Sequence, residues 1–557
     1  MSHALCQRII EGLWAAGVRE MVVTPGSRST PLLLAALESE LQLYSVIDER
    51  SASFFALGRA RARGTKVALL CTSGSAGAHY LPALLEARYA EHCLVALTAD
   101  RPPELQHCGA NQTIDQRQLF AAACPPCVEI GVSQREDAFA LAARRRVHQA
   151  VALTQGPLHI NLAFRKPLEP VPGEHPNVAA ALPLLEPAQL RVATDILEGI
   201  SEQCQSAQRG VIVCGPSARD TLGPILGHLA QKLGFVLLAE TTSGARLTGE
   251  SLPQRCDAFP HVLQHERLTA RLDPDLILQF GADPASGVLA RWLTKASGTR
   301  IRFSDRQVLR DACGKTRLIL GDSAFACEQL SDLVSERSES PYLRLWREAD
   351  DLAWAAVATQ AQNECDTLTE AFAVSTVLQC LAPQSQLTLG NSLAIRSADA
   401  VVPGTAAGLR VLHQRGTSGI EGLIAGAIGS SGIGPNALLL GDVSCAHDLA
   451  SLALHRHCNG PLAIFVIDNG GGKIFSHLPI ASVDLAEKHW DFWQTPPELD
   501  FGAICQGYKV AFRDCTSRDA LPRSVAWALD QPGLCMLRIK VAPDSMRSFL
   551  GAVQDSL

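Results

Sequence analysis

Long apolar runs are missing from this 557-residue chain, and so are blocks of like charge. No stretch approaches the roughly 18 consecutive apolar residues of a membrane span. The amino-terminal residues, Met1 to Arg8, lack the apolar core of a signal peptide. The expectation is a cytoplasmic protein with no membrane span. Nowhere do five or six like charges run together, and the net charge is −7, which argues against an extended nucleic-acid or anionic-membrane surface. Any basic site must be local. The 18 cysteines are scattered among apolar residues without paired spacing, as suits buried thiols in a reducing compartment better than a disulfide framework. Cys124-Pro125-Pro126-Cys127 has no second pair, which argues against a zinc site. The glycine-rich run from Gly429 to Gly434 misses the dinucleotide-binding spacing and reads as a loop.

What is present is a repeated rhythm of short apolar run, polar turn and helical segment. A chain this long holds about three or four cores, and the rhythm predicts an α/β protein of three doubly wound parallel-sheet domains. In the first, spanning 1–180, Glu20 to Thr24, Leu43 to Ile47, Lys66 to Cys71, His92 to Thr98 and Leu158 to Leu162 read as strands. Lys166 to Pro187, rich in proline and alanine, reads as a linker. In the second, spanning 186–345, Val211 to Pro216, Phe235 to Glu240 and Asp275 to Gly281 repeat the pattern without obvious catalytic chemistry. The third, spanning 355–557, opens with a helix from Thr369 to Leu381 and a strand from Gln386 to Leu389.

The chemically richest stretch is Leu438 to Phe475. Leu438-Leu439-Leu440 stops at Gly441-Asp442, and Pro461 to Ile467 stops at Asp468-Asn469-Gly470-Gly471-Gly472. Both read as buried parallel strands, joined by a crossover whose helix runs from His447 to Cys458. Asp442 and Asn469 then meet at the carboxyl edge, where open α/β sheets bind ligands. A carboxylate, an amide oxygen and a carbonyl bared by the glycine turn at Gly471 are hard oxygen ligands suited to Mg²⁺, with a diphosphate completing the shell. Mn²⁺ suits the same ligands. Either turn alone is an ordinary sequence; the pair across one βαβ unit is specific.

Gly441-Asp442 followed at this interval by Asn469 resembles the metal-diphosphate motif of the thiamine diphosphate enzymes, with Val443 where a glycine is usual. Val443-Ser444 and Asn469 to Phe475 resemble one branch, which joins a unit from 2-oxoglutarate to isochorismate in menaquinone biosynthesis. The resemblance spans nearly the whole chain and implies a pyrimidine-binding first domain, a central domain and a diphosphate-binding third domain. Thiamine diphosphate would meet Glu49, Ser392, Gly416, Ile420, Asp442, Ser444, Asn469, Ile474 and Phe475, with Asp442, Asn469 and Gly471 on the metal. Glu49, after the second strand, would exchange a proton with the pyrimidine ring, and Ile420 would be the apolar wedge that bends the cofactor. Ser27, Arg28, Arg101, Asn111, Gln112, Ser392, Arg396 and Arg415 match substrate positions, with Ser27, Arg28 and Gln112 also serving catalysis. Pro25 to Pro31 reads independently as an anion-binding turn into a helix. Family members often carry a base after the serine that is Ser286 here; the chain has Gly287-Val288, and Arg291 is the candidate replacement. A homo-oligomer with active sites shared between subunits is implied. Two other readings stay open: a carboligase using pyruvate, and a binding protein that keeps only the fold.

Overall fold

The computed structural model describes residues 2–132, 136–169, 181–186, 188–217, 221–305, 314–363, 367–406, 408–484 and 486–557. Of the linker read at Lys166 to Pro187, residues 170–180 and 187 lie outside the described residues. The chain gathers into two compact units, one of Met1–Ala188, Gln414–Ser431 and His447–Asn459, the other of Gln189–His413, Gly432–Ala446 and Gly460–Leu557.

The first unit is built on strands β1 (Glu20–Val23), β2 (Gln42–Ser45), β3 (Val67–Cys71), β4 (Leu94–Asp100), β5 (Val128–Ile130) and β6 (Leu158–Ala163), in the order β2-β1-β3-β4-β6-β5. Every pairing is parallel. β1, β3, β4 and β6 are buried at every position, which is why they read as unbroken apolar runs rather than alternating ones. The helix Leu423–Ser430 packs against the helix Glu49–Arg63 through glycines. A Cβ on Gly58 would lie 2.1 Å from the Gly426 carbonyl oxygen, and one on Gly429 would lie 2.1 Å from that of Phe55. Only hydrogen side chains permit backbones so close.

The second unit holds two parallel sheets. One takes β7 (Gly210–Cys214), β8 (Val236–Ala239), β9 (Leu276–Phe280), β10 (Thr299–Ser304) and β11 (Thr316–Leu320) in the order β11-β10-β9-β7-β8. The other takes β12 (Gln386–Leu389), β13 (Arg410–His413), β14 (Asn436–Gly441), β15 (Leu462–Asp468), β16 (Ala511–Cys515) and β17 (Leu534–Lys540) in the order β13-β12-β14-β15-β17-β16. Buried polar bonds join them: Asp399 accepts from Thr241 N at 2.7 Å, and the Arg246 guanidinium donates to the Asp399 carbonyl at 2.8 Å. The α/β class with three parallel sheets is as the sequence predicts.

Each sheet reverses its winding beside its first strand: between β1 and β3, between β7 and β9, and between β12 and β14. Loops diverge at such a reversal and leave a crevice at the carboxyl ends. Ser27 and Arg28 follow β1, Ser73 follows β3, Ser392 follows β12, and Asp442 follows β14 directly as the first residue of a helix.

Three local readings are corrected. Asp442 begins the helix Asp442–His447, and the following segment, Leu449–His457, is 3-10 rather than the α-helical crossover read from His447 to Cys458. Gly429 and Ser430 end a helix instead of lying in a loop. β5, β10, β11, β13, β16 and β17 are strands that the sequence reading did not pick out. Among the described residues no helix is long and apolar enough to cross a membrane.

Candidate functional site

In the second unit, the register of β14 on β15 sets Leu440 against Val466 and Gly441 against Ile467. Asp442 and Asp468, next along each strand, are thereby brought together. Asp442 is 1% exposed. Its Oδ1 accepts from Val443 N at 2.8 Å and its Oδ2 from Gly471 N at 2.7 Å. Burial, with the neighbouring charge of Asp468 adding to it, pushes the Asp442 carboxyl up to about 7. Asp468 itself accepts from Arg538 Nε at 2.7 Å. Asn469 donates through Nδ2 to Glu370 Oε2 at 2.9 Å, and its Oδ1 is buried with no hydrogen-bond partner among the described residues.

The glycine turn has physical cause. Gly470 and Gly471 have φ of +83° and +120°, a region costly for other residues, and a Cβ on Gly471 would stand 2.6 Å from the Gln494 carbonyl oxygen. That carbonyl accepts from Gly472 N at 2.6 Å, while Lys473 Nζ donates to Gln494 Oε1 at 2.8 Å. Ser392 is a non-glycine residue at φ +68° just before the helix Leu393–Val401, so strain is stored there. Arg396 donates back to the Ser392 carbonyl at 2.6 Å; burial lowers its pKa, with Glu240 and Asp399 opposing. Ser392, Asp442, Ser444, Asn469, Gly471 and Ile474 line one pocket. Phe475 follows Ile474 on the 3-10 segment Lys473–His477 and is half-buried.

These residues fit a metal and a diphosphate. Two adjacent carboxylates, one with its ionisation suppressed, invite a cation. The orphaned amide oxygen offers a ligand that burial otherwise makes costly, and the helix at Leu393 offers free N–H groups to an anion. No cluster of three His, Cys, Asp or Glu with metal-binding placement occurs among the described residues. A set of one carboxylate, one amide and one carbonyl suits a hard cation better than zinc.

The first unit holds a second group. Asp48 accepts from Ser51 N at 2.8 Å and caps the helix Glu49–Arg63, leaving Glu49 half-buried in its first turn. Glu49 contributes to raising the pKa of the Cys71 and Tyr80 side chains, whose main cause is burial. Arg28 is 7% exposed, donates to the Phe164 carbonyl at 2.8 Å, and leaves Nε without a partner among the described residues. Burial and then the facing Arg101 lower its pKa. Arg101 donates to Ser73 Oγ, and to the Asn111 carbonyl at 3.0 Å. Gln112, at φ +54°, donates to the Ser73 carbonyl at 2.9 Å, and Ser27, next to Arg28 in the chain, is exposed. The charge of Asp100 opposes the lowering at Arg28, and forked guanidiniums such as these are suited to carboxylates and phosphates. In the same unit Gly416 N and Thr417 N donate to the buried Glu86 carboxylate at 2.8 and 2.6 Å. This bond pair holds the loop bearing Arg415 and Ile420, both half-buried.

Several supporting residues escaped the sequence reading. Besides Glu86 and Glu370, Gln116 accepts from Gly74 N at 2.9 Å and donates to Asn161 Oδ1 at 3.0 Å, and Asn161 donates to Asp100 Oδ2 at 2.8 Å. Asp448, fully buried, accepts from Ile424 N and Ala425 N at 2.8 and 3.0 Å. In the central sheet region, Glu240 holds the Ala285 and Ser286 amides at 3.0 and 2.7 Å. The Arg291 guanidinium lies 3.5 Å from where a Gly287 side chain would begin.

Residues 4–119 match the family described as thiamine pyrophosphate enzyme, N-terminal TPP binding domain. Three relatives carry the name 2-succinyl-5-enolpyruvyl-6-hydroxy-3-cyclohexene-1-carboxylate synthase. That from Sorangium cellulosum is 38% identical over 98% of this chain and 93% of its own. That from Geobacillus thermodenitrificans is 34% identical over 96% and 92%, and that from Myxococcus xanthus 33% over 90% and 87%. A solved structure assigned as a thiamin diphosphate-dependent enzyme from Mycobacterium smegmatis superposes with a TM-score of 0.73 over 97% of this chain and 99% of its own. At 16% identity it attests to the fold alone.

Proposed function

The chain belongs to the 2-succinyl-5-enolpyruvyl-6-hydroxy-3-cyclohexene-1-carboxylate synthase family of thiamine diphosphate enzymes, and from that premise we propose how its own residues serve the reaction. The bond between C1 and C2 of 2-oxoglutarate breaks, C1 leaves as CO₂, and the remaining succinyl semialdehyde unit is added to isochorismate. When bound, thiamine diphosphate supplies the carbon nucleophile that this chemistry needs.

Asp442, Asn469 Oδ1 and the Gly471 carbonyl hold Mg²⁺, or Mn²⁺, against the diphosphate. Ser444 and the amides near Ser392 bind the same anion, while Gly416, Ile420, Ile474 and Phe475 bound the cofactor's rings. Glu49 holds and exchanges the proton at the pyrimidine nitrogen. Arg28, Arg101, Arg396 and Arg415 pair with substrate carboxylates, of which isochorismate has two, and Ser27, Asn111, Gln112 and Ser392 orient the rest. Arg291 adds a cation in place of the base missing at Gly287. The working form is a homo-oligomer in which Glu49 and the partner subunit's Asp442 serve one site. The 16 described cysteines are in no disulfide, which supports reading the setting as reducing and cytoplasmic.

The observation that carries this reading is the unpartnered, buried Oδ1 of Asn469 beside Asp442. Its test at the chemical end is Glu49→Gln, which keeps shape and removes the acid. Hydrogen-deuterium exchange at the thiazolium carbon, with cofactor saturating, slows by roughly 10²–10⁴-fold. Exchange as fast as the parent would remove Glu49 from its assigned role.

A further inference from the structure

Glu370 opens the helix Glu370–Cys380, capped by Thr369, whose hydroxyl accepts from Phe372 N at 3.3 Å. Its own N–H donates to Ser545 Oγ at 3.0 Å, so its backbone is held from both sides. The side chain is 2% exposed and lines the same pocket as Asp442 and Asn469. Oε1 accepts from Ser397 Oγ at 2.7 Å, and Oε2 accepts from Asn469 Nδ2 at 2.9 Å. Ser397 belongs to the helix that begins after Ser392 and carries Arg396.

A primary amide presents two ends of nearly equal size, one donor and one acceptor, and packing alone distinguishes them poorly. Burial raises the pKa of the Glu370 carboxyl, and the donors Ser397 and Asn469 oppose that rise; accepting from both, the carboxyl can face only the donor end of the amide. With Glu370 Oε2 against Nδ2, the Asn469 oxygen must point the opposite way, and that oxygen is the buried atom lacking a partner. The reverse orientation would set the amide oxygen against a carboxylate oxygen and turn an N–H₂ group toward the cation.

We propose that Glu370 is a positioning residue for the divalent metal: it fixes the Asn469 amide with its oxygen toward the ion. Through Ser397 it ties that orientation to the helix that bears Arg396. This rests on the metal reading given above, and the test separates the two.

Mn²⁺ binding, followed by the electron paramagnetic resonance of the free aquated ion at saturating thiamine diphosphate, reads the effect. Asn469→Asp adds a negative charge, which by itself would tighten the binding of a divalent cation. Facing Glu370, the new carboxylate is repelled instead, and Mn²⁺ binds about 10–100-fold more weakly, the range for loss of a supporting partner. Adding Glu370→Gln to Asn469→Asp supplies an amide donor and recovers most of that loss. Independently, Glu370→Leu, which offers no acceptor, weakens Mn²⁺ binding more than Glu370→Gln, which keeps one. Asn469→Asp binding as tightly as the parent, no recovery in the double variant, or equal losses for Glu370→Leu and Glu370→Gln would overturn the inference. Asp442→Ala with unchanged Mn²⁺ binding would instead show that the metal site itself is misplaced.

Discussion

Replacing Gly58 by alanine tests whether the close crossing of the helices Glu49–Arg63 and Leu423–Ser430 sets the geometry of the first unit's site residues. The added Cβ would stand 2.1 Å from the Gly426 carbonyl oxygen and 2.9 Å from its carbon. Both are backbone atoms, so no side chain can rotate away. Reaching tolerable contact requires the helices to part by about 1 Å, and overpacking of this kind costs about 1–3 kcal/mol. Alanine's better helix propensity returns about 1 kcal/mol, leaving a net loss of about 0–2 kcal/mol.

Separation of the helices matters more for activity than for stability. One helix begins at Glu49 and the other follows directly on the loop that carries Arg415 and Ile420. A misplacement of about 1 Å in such groups can lower turnover by on the order of 10²-fold. Steady-state kinetics and thermal unfolding on the same preparations measure both effects. Gly199→Ala in the helix Thr194–Ser206 is the control, since a Cβ there meets nothing within 4 Å; it should stabilise slightly and leave activity unchanged. A Gly58→Ala variant more stable than the parent and equally active would refute the reasoning.

The other expectations concern charge. Asp442→Ala should abolish activity chiefly by weakening metal and cofactor binding, with partial rescue at high concentrations of both, as calorimetric titration would show. Because the folded pKa of Asp442 is raised to about 7, the metal-free carboxyl is protonated below that pH, and a cation binds only the carboxylate. Metal affinity should therefore fall by about tenfold per pH unit below 7, and binding near neutrality should release a proton, which titration in buffers of different ionisation enthalpy detects. Glu86→Ala leaves two backbone N–H groups without their anionic acceptor, at about 1.5–3 kcal/mol per bond less what water restores at the exposed Thr417. It should raise substrate KM through the Arg415 loop, with Glu86→Gln milder because it keeps one acceptor.

What the sequence could tell depended on whether the signal was local. β14 and β15 were legible because strands buried on both faces must be apolar throughout, and the Asp442 and Asn469 positions because glycine turns punctuate them. Glu370, Glu86 and Gln116 were not. Each is a single polar residue in a helical or loop context whose partner lies far along the chain, 99 residues away for Glu370 and Asn469 and 330 for Glu86 and Gly416. No spacing announces such a pair. The Leu449–His457 segment misled because nine residues with helical spacing cannot separate a period of 3.0 from 3.6. Ser392 hid its strain, since serine, unlike glycine, does not advertise a positive φ.

The reaction assigned to the chain joins a 2-oxo acid to isochorismate with loss of CO₂. Incubation with thiamine diphosphate, Mg²⁺, isochorismate, unlabelled pyruvate and 2-oxoglutarate labelled with ¹³C at single positions, followed by mass spectrometry, tests it. Label at C1 should emerge as CO₂, and label at any other carbon should be retained in the isochorismate adduct. Conversion of pyruvate to acetolactate with 2-oxoglutarate untouched, or tight cofactor binding with no CO₂ released from either acid, would contradict that assignment.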